Sequence, residues 1–175
     1  MNYYLIDASS VKAASLVNYN CEDETVGYAI REAQDVYLKE ILGNALLEKC
    51  VELASSGTID EQGYEAYATL VDKYIYDFLV AKSQEQILIP ISFKIRNIGV
   101  SQDSDTNVAS QQFQNVIDLH NYWNVISEDK ANRLKCFLKE NRDAFPELEA
   151  GSCVCGACDN GPNLKLGAST NLFLG

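Results

Sequence analysis

A chain of 175 residues, 47% hydrophobic and 10% aromatic, has room for one core of ordinary size and is too apolar for wholesale disorder. No apolar run approaches the roughly 20 residues of a membrane span, and Met1-Asn2-Tyr3-Tyr4 lacks a signal peptide's basic flank, so a soluble protein made in a cytoplasm, with no membrane partner, is expected. Fourteen Lys and Arg against twenty-five Asp and Glu give −11, which excludes nonspecific duplex binding by the whole surface.

Helical periodicity dominates. Over residues 25–42, Val26, Ile30, Ala33, Tyr37 and Ile41 recur in steps of three and four, placing one apolar stripe on one face. Gly43-Asn44 is a fitting stop, because either residue tolerates the left-handed backbone that ends helices. A shorter helix is predicted over 45–54, ended by Ser55-Ser56-Gly57. Thr58 and Glu61 have capping-box spacing for a further helix. That helix carries Tyr64, Tyr67, Val71, Tyr74, Ile75, Phe78 and Leu79 and reaches about Lys82 or beyond.

The pattern then changes. Residues 86–96 are rich in β-branched side chains and alternate apolar and polar from Ile91 onward, the period of a half-buried strand. Pro90 cannot donate to a ladder, so an edge strand or extended arm at about 86–97 is expected. Residues 97–106 read as a polar loop. A helix over 108–126 carries Phe113, Val116, Ile117, His120 and Trp123 on its stripe, widened by Leu119, Tyr122 and Ile126. Ser127 is placed to cap the next helix, whose stripe is Leu134, Phe137 and Leu138 and which ends at Phe145-Pro146. The expected fold is therefore mainly α. About five helices form a bundle-like domain over 1–149, with one extended arm and an extended Cys-, Gly- and Asn-rich tail over 150–175.

Charge is distributed unevenly along this plan. Residues 1–81 sum to −9, 82–129 to −3, and 143–175 to −3, whereas 130–142 reverse the sign to +4 through Lys130, Arg133, Lys135, Lys139 and Arg142 against Glu140. A negative face can thus meet a positive one on a second copy.

Little in the sequence points to catalysis. The single histidine, His120, sits on an apolar stripe, where core or interface packing is its ordinary use. No Gly-rich nucleophile elbow precedes a serine, and neither the P-loop nor the dinucleotide-binding pattern occurs. An enzyme is not expected. Cys50 and Cys136 fall in apolar-periodic segments and read as small core residues. Cys153, Cys155 and Cys158 have the spacing of zinc ligands, but zinc takes four, and no second C-x-x-C follows. Zinc is a possible cofactor of this cluster; a reduced thiol cluster is the plainer reading.

Three ordered blocks carry a resemblance. They are Ala29-Ile30-Arg31-Glu32-Ala33-Gln34 with Tyr37-Leu38 and Ile41-Leu42-Gly43, then Phe93-Lys94-Ile95-Arg96-Asn97-Ile98-Gly99-Val100, then Phe137-Leu138-Lys139-Glu140-Asn141 leading to Phe145-Pro146-Glu147-Leu148. Together the set resembles head–tail connector proteins of tailed bacteriophages, with a flavour of short-tailed crAss-like phages. The resemblance implies a structural subunit that closes into a ring of about twelve copies. Such a ring docks under the portal protein, binds further tail or adaptor proteins below, and lets genome DNA pass through its lumen without specific binding. It implies a virion location at the head–tail interface after assembly in a host cytoplasm. Subunit and partner contacts are expected at Leu88, Ile89, Ile91, Phe93, Ile95 and Arg96 of the arm, at Lys130, Arg133, Lys135 and Lys139, and at Leu164, Leu166, Leu172 and Phe173 of the tail. The rival reading is a small zinc-assisted interaction or regulatory module centred on Cys153, Cys155 and Cys158.

Overall fold

The computed structural model describes residues 3–15, 21–96, 99–102 and 113–148. The described chain is mainly α-helical, as the periodicity predicts. Helix α1 (Ala8–Ala14) starts at Asp7, whose carboxylate accepts the Ser10 N–H at 2.7 Å and the Ser9 hydroxyl at 2.9 Å. Those bonds, led by the one from Ser10, hold the Asp7 carboxyl below its ordinary range. Seven residues carry too little periodicity for this helix to be legible in the sequence.

Helix α2 (Asp23–Glu32) runs through a π-helical turn (Ala33–Leu38) into α3 (Lys39–Ser56). Val26, Ile30, Ala33 and Ile41 are buried as the stripe requires, but Leu38 is fully buried where Tyr37 was due, and Tyr37 is half-buried. A π turn takes in one extra residue, about 100° of rotation, so the buried face moves one position along the chain. Gly43 interrupts α3 with φ 74° and ψ 169°, at the predicted stop. Gly57, at φ 71°, ends α3 as expected: its N–H donates to Ala54 O and the Thr58 N–H to Leu53 O.

The capping box is not formed. Thr58 O accepts the Glu61 N–H in a turn, and α4 (Glu65–Thr69) begins beyond it, with the Glu65 carboxylate taking the Gly63 N–H. The buried residue of this short helix is Tyr67.

After a second π turn (Leu70–Ile75) comes α5 (Tyr76–Ser92), the centre of the bundle. Eight consecutive residues from Phe78 to Glu85 are buried, which only a helix enclosed on every side can achieve. Helices α1, α2 and α6 and the first π turn all pack on it.

The extended arm at 86–97 is corrected by this helix. Residues up to Ser92, including Leu88, Ile89 and Ile91, are helical, with Pro90 in the last turn. Ile87 and Leu88 are buried, and that burial outweighs the β preference of the local sequence. Only Phe93, Lys94, Ile95 and Arg96 form a strand, β1 (Phe93–Arg96), and it is not unpaired. It forms an antiparallel hairpin with β2 (Gly99–Gln102), in register Phe93 to Gln102 and Arg96 to Gly99.

The two helices predicted over 108–126 and from Ser127 onward are one, α6 (Phe113–Glu140). Ser127 is not a cap but a buried mid-helix residue. A 3-10 turn (Arg142–Ala144) then turns the chain so that Phe145 and Leu148 enter the core. Phe145 meets the Tyr67 ring edge-on at 5.1 Å, and the Tyr67 hydroxyl donates to Glu147 at 2.7 Å. Cys50 lies in the core as expected, whereas Cys136 is half-buried.

Candidate functional site

The most concentrated chemistry in the described residues lies where α5, α6 and the first π turn meet. Glu85, 2% exposed, accepts both bonds of the Lys82 ammonium at 2.8 and 2.9 Å. The pair is three residues apart on α5, so the helix itself sets the two side chains side by side. Ser127 has one proton to give and gives it to the other side of the carboxylate at 2.5 Å, with Asn124 O also 3.0 Å from the hydroxyl. Asn124 and Gln86 amides reach Glu85 at 3.4 Å. His120 Nε2 stands 3.8 Å from the same carboxylate. Tyr37 completes the cluster: Lys82 Nζ lies 4.0 Å from its ring centroid, and Gln86 donates to its hydroxyl at 3.3 Å.

This network borders a cleft of about 400 Å³, which Tyr37, Phe78, Lys82, Asn124, Ser127 and Lys135 help to line. Lys82 faces an anion and an aromatic ring, and the carboxylate is saturated with donors. Such an arrangement is a polar bolt that fixes the register of α6 on α5 and of the π turn over both. The sequence reading missed Lys82 and Glu85. The signal available was their position between two apolar runs, 78–81 and 87–89, of one continuous helical stretch.

A second buried polar residue, Gln34, works in the same manner at the N-terminus. Its side-chain amide accepts the Leu5 N–H at 2.9 Å and donates to Tyr3 O at 3.2 Å, doing for that extended segment what a neighbouring strand would do. Lys12, also buried, bonds Cys21 O and pairs with Asp23 at 2.5 Å, tying α1 to the start of α2.

The sequence-predicted contact residues scatter. Leu88 is buried on α5, whereas Ile91 is exposed. Ile89 lies in the last turn of α5, and Phe93, Ile95 and Arg96 lie on β1. Of the basic residues, Lys130 pairs with Asp77 at 2.6 Å and Arg133 with Asp129 at 2.8 Å within the same chain; Lys135 lines the cleft and Lys139 is exposed at the end of α6. His120 is half-buried beside Glu85 and not part of an apolar core. Leu164, Leu166, Leu172 and Phe173, and Cys153, Cys155 and Cys158, lie outside the described residues. Among the described residues, no group of three or more His, Cys, Asp or Glu could hold a metal ion, and no helix is long and apolar enough to cross a membrane.

One feature of α6 has no counterpart in the core. Leu119, Tyr122 and Val125 form an outward row, 43%, 59% and 64% exposed. Tyr3, Tyr28 on α2, Val36 in the first π turn and Ile91 near the end of α5 are also exposed.

The chain belongs to a family of unknown function, DUF6712, whose pattern matches residues 38–157, roughly two-thirds of the sequence. That span takes in the kinked α3, Lys82, Glu85 and Ser127 of the polar bolt, and the whole of α6. No curated protein and no solved structure matches the chain.

Proposed function

We propose that this protein is a structural subunit of a phage head–tail connector ring, docking under the portal, linking capsid to tail and lining the DNA exit channel. The observation that carries the reading is the outward row Leu119, Tyr122 and Val125 on the longest helix of the fold. Three large apolar side chains left in water forgo about 1.5–3 kcal/mol each of burial, an arrangement suited to a chain that works in contact with others. The resembling blocks give further support. The first spans the end of α2, the π turn and the start of α3; the second covers β1 and the first two residues of β2, and a two-stranded hairpin is marginally stable alone and gains from a partner. The third is the end of α6 and the Phe145–Leu148 hook. Within this reading, Cys153, Cys155 and Cys158 supply a zinc clamp at the base of the tail.

The test is negative-stain microscopy of the purified protein, alone and mixed with the portal protein of its own virion. Rings, formed alone or on the portal, are expected. A monomer of 19.4 kDa under both conditions would end the proposal.

A further inference from the structure

The cysteines fall into two groups. Cys21 and Cys50 are free thiols. Cys136 is joined through its sulfur to another cysteine. With six in the chain, its partner comes from Cys153, Cys155 and Cys158, which lie outside the described residues. The path of the described chain leads the same way. Cys136 is half-buried, one turn before the end of α6. Beyond it the 3-10 turn brings the chain back, so that the Phe145 ring stands 6.1 Å from that of Phe137, the neighbour of Cys136. The Leu148 N–H then donates to Phe145 O at 3.1 Å, and Leu148 is buried. Cys153 follows Leu148 by five residues, a reach of at most about 17 Å.

We propose that Cys136 is the fourth ligand of a zinc site completed by Cys153, Cys155 and Cys158. The inference deepens the zinc clamp named above and rests on that reading's assembly in a host cytoplasm. Thiols are kept reduced there, and clustered cysteines serve metals rather than bridges. A structural zinc takes four ligands, with sulfur at about 2.3 Å. The tail's C-x-C-x-x-C offers three within six residues, and the turn at Phe145 returns the chain to the one it lacks. Each thiol gives its proton to water as the metal binds. The metal then fastens the base of the tail to the end of α6, closing the chain around the Phe145–Leu148 hook. No pattern search over the tail finds this fourth ligand, because it lies 17 positions before Cys153 on a helix whose periodicity marks it as packing.

The test uses the full chain, reduced with a phosphine, stripped of metal by a chelator and titrated with Zn²⁺ or Co²⁺ alone. The wild type should bind one ion per chain, and its cobalt form should show a tetrahedral d–d envelope with the charge-transfer intensity of four thiolates. Cys136→Ser should bind about 100-fold more weakly or worse, beyond the usual cost of an outer-shell change, with the intensity of three thiolates. Far-UV circular dichroism verifies that its helices are intact. Cys21→Ser, at a free thiol, should match the wild type. In the wild type itself, zinc should shield Cys136 from iodoacetamide and chelation should expose it. An ion bound while Cys136 is alkylated at the same rate in both states overturns its role as a ligand and leaves the three-cysteine clamp standing. Cys136→Ser with wild-type affinity and spectrum does the same. A reduced chain that takes up no metal overturns the clamp as well. A chain isolated without reductant that carries a Cys136 disulfide and no zinc overturns the metal site in favour of a covalent tether. The ring reading is decided apart from all of these, by microscopy with the portal.

Discussion

Replacing Glu85 with Ala tests the polar bolt directly. The substitution removes the carboxylate that holds the Lys82 ammonium at 2.8 and 2.9 Å and the Ser127 hydroxyl at 2.5 Å, at a site 2% exposed. Ser127 can fall back on Asn124 O at 3.0 Å, so the main cost is the Lys82 charge, left 7% exposed without a counter-ion. Breaking one side of a buried pair costs about 3–5 kcal/mol. In a chain of this length each kcal/mol lowers Tm by about 2–4 °C, which puts the expected drop at roughly 6–20 °C. Against a typical stability of about 5–15 kcal/mol this is a large fraction. Urea unfolding followed by helix circular dichroism reads the loss as a lower midpoint at unchanged slope. The companion variant, Lys82→Met with Glu85→Leu, removes both charges at similar volume. Because a buried pair roughly breaks even against apolar residues, the double variant should lie within about 2 kcal/mol of the wild type. A loss below about 1 kcal/mol for Glu85→Ala, or a double variant as damaged as the single, would refute the account of an uncompensated charge.

Alkaline pH should also destabilise the protein. Burial, with a smaller contribution from Glu147, pushes the Cys50 thiol from 9.0 up to about 12. The unfolded chain therefore releases this proton first, so stability is complete below pH 9 and falls by about 1.4 kcal/mol per pH unit as pH rises toward 12. The Tyr67 phenol, raised by burial and by its bond to Glu147, adds to the loss in the same direction above pH 10. Urea midpoints at pH 8 and pH 10.5 check the sign, and equal midpoints would contradict it. Gly43→Ala should cost about 1–3 kcal/mol, because φ 74° with ψ 169° is a region open to glycine alone; thermal melts read the difference, and an unchanged Tm would mean that the kink is not required.

How much of this was legible in the sequence depends on how local the decisive contact is. The α2 stripe, the Gly43 break and the Gly57 stop are set by periods and backbone preferences within a few residues, and they appear as the sequence predicts. Residues 86–92 mislead because their β-branched content is read without knowing that Ile87 and Leu88 are buried in the fold. Ser127 misleads for a related reason: a serine before two acids has the appearance of a cap, and only a carboxylate 42 positions earlier explains its use inside a continuous helix. The polar bolt is invisible for the same cause, since Lys82 and Glu85 three apart on a helix ordinarily describe a solvated face. Of the exposed row on α6, Leu119 and Tyr122 belong to the predicted stripe and Val125 does not, because periodicity shows which residues share a face but not whether anything covers it.

The two π turns have a consequence for how the chain tolerates changes in length. Elsewhere in these helices, removing a single residue rotates everything beyond it by about 100° and turns core side chains outward. Within Ala33–Leu38 or Leu70–Ile75 the helix already carries one residue more than a regular turn holds. A deletion there relaxes the turn to ordinary α geometry while Leu42 and Leu46 on one side, or Phe78 and Leu79 on the other, keep their place in the core. These short stretches are thus slack built into the helices, where the reading frame of the fold can lose a residue without losing its phase.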